Sequence, residues 1–353
     1  MPLRESQAFY VSAKSRSLIN LVLISLSNLF GGLSLSLLAP FYSAEALLKG
    51  VSVTKSGFVL GSVFVMTVLC TPLIGRYIEV LGARRFLLFG SAVTALGNSV
   101  FGALYLVEEG TLFFLLSILV RVITAVGESA LPIAAMALAS RQVTSANEGK
   151  AVAACETCFG VGTVLGPSVG GLLYDLGGFC LPFWVAGGAQ FFLLLLTAVF
   201  LKDSPDTYTS LDTEEKGEVT WRNLLRAPGV LASFLALCFT GTAWTWCFAS
   251  LQPYLYTTYG FTSAYTGLAF MMFGLTYTFF TPVFGWMIDR GLDGFTAMLL
   301  GICVISVSMA FLAPAPPLLE AIGHRPWLLM LCMAVQGVGT SAAYLGSLIY
   351  MLK

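Results

Sequence analysis

Ten runs of mostly apolar residues divide this chain, and each run is long enough to cross a membrane as a helix. A helix needs about 20 such residues to span a hydrocarbon core about 30 Å thick. Continuous runs exclude transmembrane strands, whose side chains alternate between lipid and lumen. Charged residues make up only 10% of the 353 residues, too few to cover the surface of a soluble protein. The sequence therefore predicts an all-α, polytopic membrane protein with spans at 18–40, 57–75, 86–106, 112–139, 151–174, 182–201, 230–251, 267–288, 295–314 and 327–352.

The second and eighth runs are similar in sequence, because residues 56–79 recur 210 positions later at 266–289. Both copies end in the pattern T-P-x-x-G-x-x-I-[E/D]. A period this long, with several spans in each copy, does not fit a solenoid repeat and is expected of secondary transporters. The matching positions are Gly57 with Gly267, Thr71-Pro72 with Thr281-Pro282, Gly75 with Gly285, Ile78 with Ile288, and Glu79 with Asp289.

Residues 202–226 form the only long polar stretch, which we expect to be a cytoplasmic linker between two membrane halves. Six spans precede it, in an N-terminal half at 1–201, and four follow it, in a C-terminal half at 227–353. If the repeat reflects two equal halves, the second half lacks two helices. The sequence therefore leaves open a truncated, non-transporting or regulatory membrane protein.

The basic residues predict the orientation. With a cytoplasmic N-terminus, 14 of the 18 lysines and arginines lie on the cytoplasmic side of the membrane. The exceptions are Lys49, Lys55 and Arg325 on the other side, and Arg121 within the bilayer. The positive-inside rule therefore favours a cytoplasmic N-terminus.

A glycine-rich motif, G-x-x-x-G-P-x-x-G-G, lies in the fifth span and consists of Gly162, Gly166, Pro167, Gly170 and Gly171. Three of these glycines are spaced four residues apart on one helix face, which lets a partner helix approach closely. The proline is expected to kink the helix. The whole motif matches the antiporter signature of the major facilitator superfamily, which the chain therefore resembles.

The loop after the second span carries a second resemblance to that superfamily, through Gly75, Glu79, Gly82, Arg84 and Arg85. Here a glutamate replaces the usual aspartate and the arginine pair is displaced by one position. In the superfamily this loop packs against the eleventh helix, its acid lies near a helix N-terminus, and its arginines form charge pairs that latch one conformation. The resemblance therefore implies a gating role for these residues. The second copy of the repeat offers Asp289 and Arg290 at the corresponding place.

Two opposite charges, Arg121 and Glu128, flank the middle of the fourth span. Charges inside a bilayer are functional candidates by default, and we expect both to face a polar cavity. We expect their separation of about 10 Å along one helix face to be too long for direct pairing and to leave room for substrate, water or groups on other helices. A structural charge network is the alternative. The resemblance implies a role in proton coupling for Arg121.

Glu156 lies about 9 Å into the fifth span and about 120° from the glycine stripe. It is predicted to bind a cation or carry a proton, or else to be an interfacial carboxylate that reaches cytoplasmic water. Trp244 and Tyr277 offer faces for a cation, with ordinary packing as the alternative. Cys155 and Cys158 form one C-x-x-C without a second pair for zinc, so we expect neither a metal nor a cofactor.

Within the superfamily, the chain most resembles the vesicular amine transporters and their polyamine branch, through residues 38–46, 156–174 and 177–183. The first span carries no acidic residue, where monoamine carriers place an aspartate. The resemblance implies a proton-coupled antiporter of an organic cation such as a polyamine. Glu128 and Glu156 would exchange protons for the cation in a central cavity, and Arg121 would tune their proton affinity. A vesicle membrane, or otherwise the plasma membrane, is the expected location. No motif predicts an enzyme or a nucleic-acid partner.

Overall fold

The computed structural model of the protein describes residues 2–142, 148–201, 228–312 and 325–352. All regular elements in these ranges are helical. Ten of the helices are long and apolar enough, by length and composition, to cross a membrane. The predicted all-α membrane fold is therefore confirmed. The helices are α1 (Pro2–Ser36), α2 (Tyr42–Leu48), α3 (Val53–Leu81), α4 (Ala83–Ala103), α5 (Gly110–Arg141), α6 (Glu148–Gly177), α7 (Cys180–Phe200), α8 (Pro228–Tyr259), α9 (Ser263–Asp289), α10 (Gly294–Leu312) and α11 (Pro326–Leu352), with a 3₁₀ turn at Leu104–Leu106.

The chain forms two compact units, Met1–Asp206 and Thr207–Lys353. The N-terminal unit contains α1 to α7, and the C-terminal unit contains α8 to α11. The predicted linker at 202–226 lies outside the described residues.

Helices α1 and α6 pack along one another in the N-terminal unit, and the glycine stripe of α6 forms the contact. A Cβ added at Gly162 would collide with the carbonyl oxygen of Leu29, and one at Gly170 with that of Leu37. A Cβ at Gly166 would lie 2.7 Å from the carbonyl oxygen of Leu33. The backbones of α1 and α6 approach closely because glycine has no side chain, as in other small-residue interfaces of membrane helices. The two other residues of the motif, Pro167 and Gly171, are also buried. Both lie within α6, which continues as one helix to Gly177.

The packing within the N-terminal unit is repeated within the C-terminal unit. Helices α3 and α4 both pack against α5, and α9 and α10 both pack against α11. A Cβ at Gly90 of α4 would lie 2.9 Å from the carbonyl oxygen of Gly127 of α5. Likewise, a Cβ at Gly301 of α10 would lie 2.6 Å from the carbonyl oxygen of Gly339 of α11. The sequence repeat therefore corresponds to a repeated helix arrangement.

The short helix α2 closes one end of the N-terminal unit. The ring of Tyr42 lies between those of Phe101 and Phe113, with centroid distances of 5.8 and 6.0 Å. The ammonium of Lys49 lies over the ring of Phe113 and donates to the carbonyl oxygen of Val107 at 2.7 Å. Burial raises the pKa of the Tyr42 phenol well above its ordinary value, so this hydroxyl stays neutral.

Candidate functional site

Arg121 and Glu128 form a direct ion pair in the middle of α5. The distance from Arg121 Nη1 to Glu128 Oε1 is 3.3 Å, and each side chain is only 3% exposed. The expectation that their spacing excludes direct pairing was therefore wrong. Side chains on a helix tilt toward its N-terminus, so the carboxylate of Glu128 lies on the N-terminal side of its own Cα. It is therefore within reach of the long side chain of Arg121.

Two neighbouring helices complete the surroundings of this pair. Ser34 Oγ of α1 donates to Glu128 Oε1 at 2.8 Å. Asn98 Nδ2 of α4 in turn donates to Ser34 Oγ at 2.8 Å. Arg121 Nη2 donates to the carbonyl oxygen of Leu35 at 3.5 Å. The ion pair therefore belongs to a polar layer that crosses α1, α4 and α5.

This polar layer is not fully satisfied. Among the described residues, Glu128 Oε2 and Arg121 Nε have no hydrogen-bond partner. A buried polar atom without a partner costs about 1–3 kcal/mol, and more if it is charged. Ordered water or an exchangeable group is the usual explanation for such atoms in a native protein.

Glu156 lies elsewhere, on an exposed face of α6. Its neighbour Cys155 is buried, with Sγ 3.2 Å from Ser25 Oγ and its carbonyl oxygen 2.9 Å from Asn28 Nδ2. Ser34, which bonds Glu128, follows Asn28 by six residues, or about 9 Å along α1. The two carboxylates are therefore at different depths, and the described residues form no hydrogen bond or ion pair with Glu156.

Trp244 and Tyr277 are brought together in the C-terminal unit. Trp244 stacks on Phe273 with ring centroids 4.0 Å apart, and Phe248 contacts it edge-on at 4.7 Å. Tyr277 lies parallel to Phe273 at 6.3 Å. One face of the Trp244 indole is therefore occupied by packing, while both side chains are only half-buried.

Arg84 and Arg85, which the sequence predicts in a loop, lie in the first turn of α4 and differ from each other in their surroundings. Gly82 joins the two helices with a φ of +88°, a conformation that favours glycine. Arg84 donates from Nη2 to the carbonyl oxygen of Ala198 at 3.0 Å, and from Nε to that of Leu201. A cation is favoured at the C-terminal end of a helix, here α7. Arg85 is exposed.

The remaining predicted gating residues lie at the surface of their units. Gly75 and Glu79 are exposed near the end of α3, and a Cβ at Gly75 would meet no atom within 4 Å. Arg290 stacks on Trp286 at 4.1 Å, at the end of α9. Asp289 is the last residue of α9, and its side chain lies outside the described part of the chain.

Sequence reasoning missed Ser34 and Asn98, although both are polar residues inside predicted spans. Both are almost fully buried, at 1% and 2% exposed, and they differ from the many serines that bond only to their own helix because they bond to each other across two helices. No group of three or more His, Cys, Asp or Glu side chains that could hold a metal is found among the described residues.

Comparison with known proteins identifies the family. The model of the Major Facilitator Superfamily matches residues 24–353. The chain belongs to this superfamily. It is 29% identical over 324 residues to the human MFS-type transporter SLC18B1, covering 90% of this chain and 68% of that protein. It is 27% identical to the rat protein of the same name over 339 residues, covering 94% of this chain and 71% of the relative.

A solved structure shows the same fold. The bacterial homolog of the human lysosomal transporter Spinster, in an inward-facing and unoccupied conformation, superposes with a TM-score of 0.75 at 14% identity. The match covers 96% of this chain and 75% of that one. The chain is therefore a multi-pass membrane protein of a transporter superfamily, and its relatives are named as transporters.

Proposed function

We propose that the protein exchanges protons for an organic cation, such as a polyamine, by alternating access. The observation that carries this proposal is the buried ion pair of Arg121 and Glu128. Removing one partner of such a pair costs about 3–5 kcal/mol, because the other charge stays buried alone. A proton that neutralises Glu128 would likewise leave the charge of Arg121 buried without a counter-charge. Protonation therefore changes the energy of the N-terminal unit enough to drive a conformational change.

The comparison between the two units supports a functional reason for this pair. Gly127 of α5 and Gly339 of α11 occupy equivalent places in the repeated packing. Counting from these glycines, Arg121 corresponds to Met333 and Glu128 to Thr340. The same helix packing thus forms without the charges, so the fold does not require them.

Glu156 is the better candidate for binding the cation. It is exposed on α6, whereas Glu128 is already engaged by Arg121. A carboxylate without a competing cation can accept the hydrogen bonds of an ammonium group. The polyamine branch that the sequence resembles, and a first span without an acidic residue, favour this class of substrate. Glu156 would therefore bind the cation, and Glu128 would respond to protons.

The test is uptake of radiolabelled spermidine into liposomes that contain purified protein and have an acidic interior. We expect uptake that collapses with the gradient and is blocked by other polyamines. Glu128→Gln should abolish gradient-driven uptake but keep spermidine–spermidine counterflow, which needs no proton. Glu156→Gln should abolish both. Glu108→Gln, at an exposed loop position, is the matched control and should change neither.

Normal gradient-driven uptake in both variants would overturn the assignment. A folded protein with neither uptake nor counterflow would instead support a non-transporting or regulatory role.

The distribution of lysine and arginine supports a cytoplasmic N-terminus, and the resemblance to vesicular carriers supports a vesicle membrane. A tag at the N-terminus should therefore be accessible to protease that is added outside sealed vesicles whose cytoplasmic side faces outward. Cleavage of that tag by external protease is the expected result, and resistance to cleavage would contradict this orientation.

A further inference from the structure

The ammonium group of Lys49 lies in a site made of backbone carbonyl groups and one aromatic ring. Its Nζ donates to the carbonyl oxygens of Val107 at 2.7 Å, Tyr105 at 3.0 Å and Leu104 at 3.4 Å. Nζ also lies 4.6 Å from the centre of the Phe113 ring. An ammonium group has three N–H donors and no acceptor, so three carbonyl oxygens and the face of a ring match its chemistry.

The end of α4 and the 3₁₀ turn after it supply these carbonyl groups. Carbonyl groups at a helix C-terminus lack partners within the helix and carry the negative end of the helix dipole, which favours a cation. Lys49 forms no ion pair in the described part of the chain, although Glu108 and Glu109 directly follow Val107. Uncharged groups therefore hold this ammonium, and they bind it less tightly than a carboxylate would.

The backbone of α2 is fixed independently of the Lys49 side chain. A Cβ added at Gly110 would collide with the carbonyl oxygen of Lys49, so this backbone lies against the start of α5. Tyr174 Oη of α6 donates to Glu45 Oε2 of α2 at 2.9 Å. Removing the ammonium should therefore leave the carbonyl groups and the ring in place.

The site is open to the outside of the N-terminal unit. Lys49 is only half-buried, Tyr105 is 44% exposed, and the hydrogen bond between them is exposed. Lys49 follows the first span and Val107 follows the third, so both lie on the side of the membrane opposite the proposed cytoplasmic N-terminus. A soluble amine can reach these carbonyl groups once the lysine side chain leaves them.

We propose that the three carbonyl groups and the Phe113 ring form a binding site for a primary alkylammonium group, such as one end of a polyamine. Lys49 is then a tethered competitor, because its side chain beyond Cβ is itself a propylammonium group. This inference rests on the cation exchange proposed above and adds a second contact for the substrate. A group on a short tether acts at an effective concentration of roughly millimolar, so Lys49 favours release of the substrate on this side.

The test is chemical rescue of the purified protein in detergent, measured by thermal unfolding. Lys49→Ala removes the propylammonium group and should lower Tm, because the carbonyl groups lose their donor. Added propylammonium chloride should restore most of the lost Tm, with saturation. Tetramethylammonium chloride can contact the ring but has no N–H donor, so it should not restore Tm.

Lys55→Ala is the matched control. Lys55 is exposed and lies over the ring of Phe114 at 5.5 Å, and its ammonium has no hydrogen-bond partner among the described residues. Propylammonium chloride should shift the Tm of this variant and of the wild type no more than sodium chloride does. If Lys49→Ala does not fold, Lys49→Met keeps the apolar part of the side chain, and methylammonium chloride is then the probe.

The same unfolding assay tests the substrate. Glu156→Gln removes the other proposed cation site, so the remaining effect of spermidine reports on the carbonyl site. Spermidine should stabilise the variant with both Lys49→Ala and Glu156→Gln at concentrations about tenfold below those that stabilise Glu156→Gln alone. A factor of about ten is the equivalent of roughly one hydrogen bond of the displaced competitor.

Two results would contradict the proposal. Propylammonium that restores Tm no better than tetramethylammonium in the folded Lys49→Ala variant, or methylammonium that does no better in Lys49→Met, would overturn the ammonium site. Rescue by propylammonium with equal spermidine concentrations in the two Glu156→Gln proteins would show that Lys49 only caps α4, and would overturn the role in substrate binding. Neither measurement needs transport, so a wild type without spermidine uptake would refute the proposed exchange while the unfolding shifts still decide the ammonium site.

Discussion

Replacing the ion pair by the residues of the other repeat should separate its role in transport from its role in folding. Arg121→Met with Glu128→Thr gives α5 the side chains that α11 has at Met333 and Thr340. Each single substitution leaves one buried charge alone and should lower the free energy of unfolding by about 3–5 kcal/mol.

The double variant should be far less damaged than the sum of the single ones. No charge remains, and methionine has nearly the volume of arginine, so only the smaller threonine costs about 1 kcal/mol in lost packing. We expect the double variant to unfold within about 2 kcal/mol of the wild type. The coupling energy is then about 4–8 kcal/mol, well above the additivity expected for independent sites.

The assay is reversible unfolding of purified protein in detergent micelles, followed by helicity, together with spermidine uptake for the same four proteins. Uptake driven by the proton gradient should be lost in the double variant even though its stability is retained. A double variant as unstable as the sum of both single variants would show that the pair is needed for folding. A stable double variant with intact gradient-driven uptake would refute the coupling role.

Three further predictions concern packing and the loop between α3 and α4. Gly162→Ala should lower the free energy of unfolding by about 1–3 kcal/mol, because the added Cβ would collide with α1. Gly160→Ala in the same helix is the control, since a Cβ there meets no atom within 4 Å. Equal effects of the two substitutions would contradict the close approach of α1 and α6. Arg84→Met should cost about 1–3 kcal/mol through the lost bonds to the end of α7, whereas exposed Arg85→Met should change thermal unfolding little. Gly82→Ala should cost about 1–2 kcal/mol because of its positive φ, and a neutral result in the same unfolding assay would argue against that conformation.

The fold follows from the sequence because its determinants are local. Every predicted span coincides with a helix, since a chain in lipid must satisfy its backbone hydrogen bonds internally. The glycine stripe of Gly162, Gly166 and Gly170 identified a close helix contact from spacing alone. The partner helix, α1, could not be predicted, because the contact depends on which neighbour the topology brings alongside.

The candidate site is predictable only in part. Arg121 and Glu128 were conspicuous because charge is rare inside a span. Their pairing was misjudged because it depends on side-chain direction rather than on spacing. Ser34 and Asn98 carry no charge and resemble other polar residues in apolar spans, so only the contacts between helices show that they share one layer with Glu128.

The internal repeat gives an independent criterion for separating packing from chemistry. Features that both units share, such as the pairs Gly90–Gly127 and Gly301–Gly339, are sufficient to hold three helices together. Features present in one unit alone are not needed for that purpose, and the ion pair is one of them. A buried charge pair contributes little stability compared with an apolar replacement. Its presence in a unit that could pack without it is therefore best explained by what the charges do when one of them is neutralised.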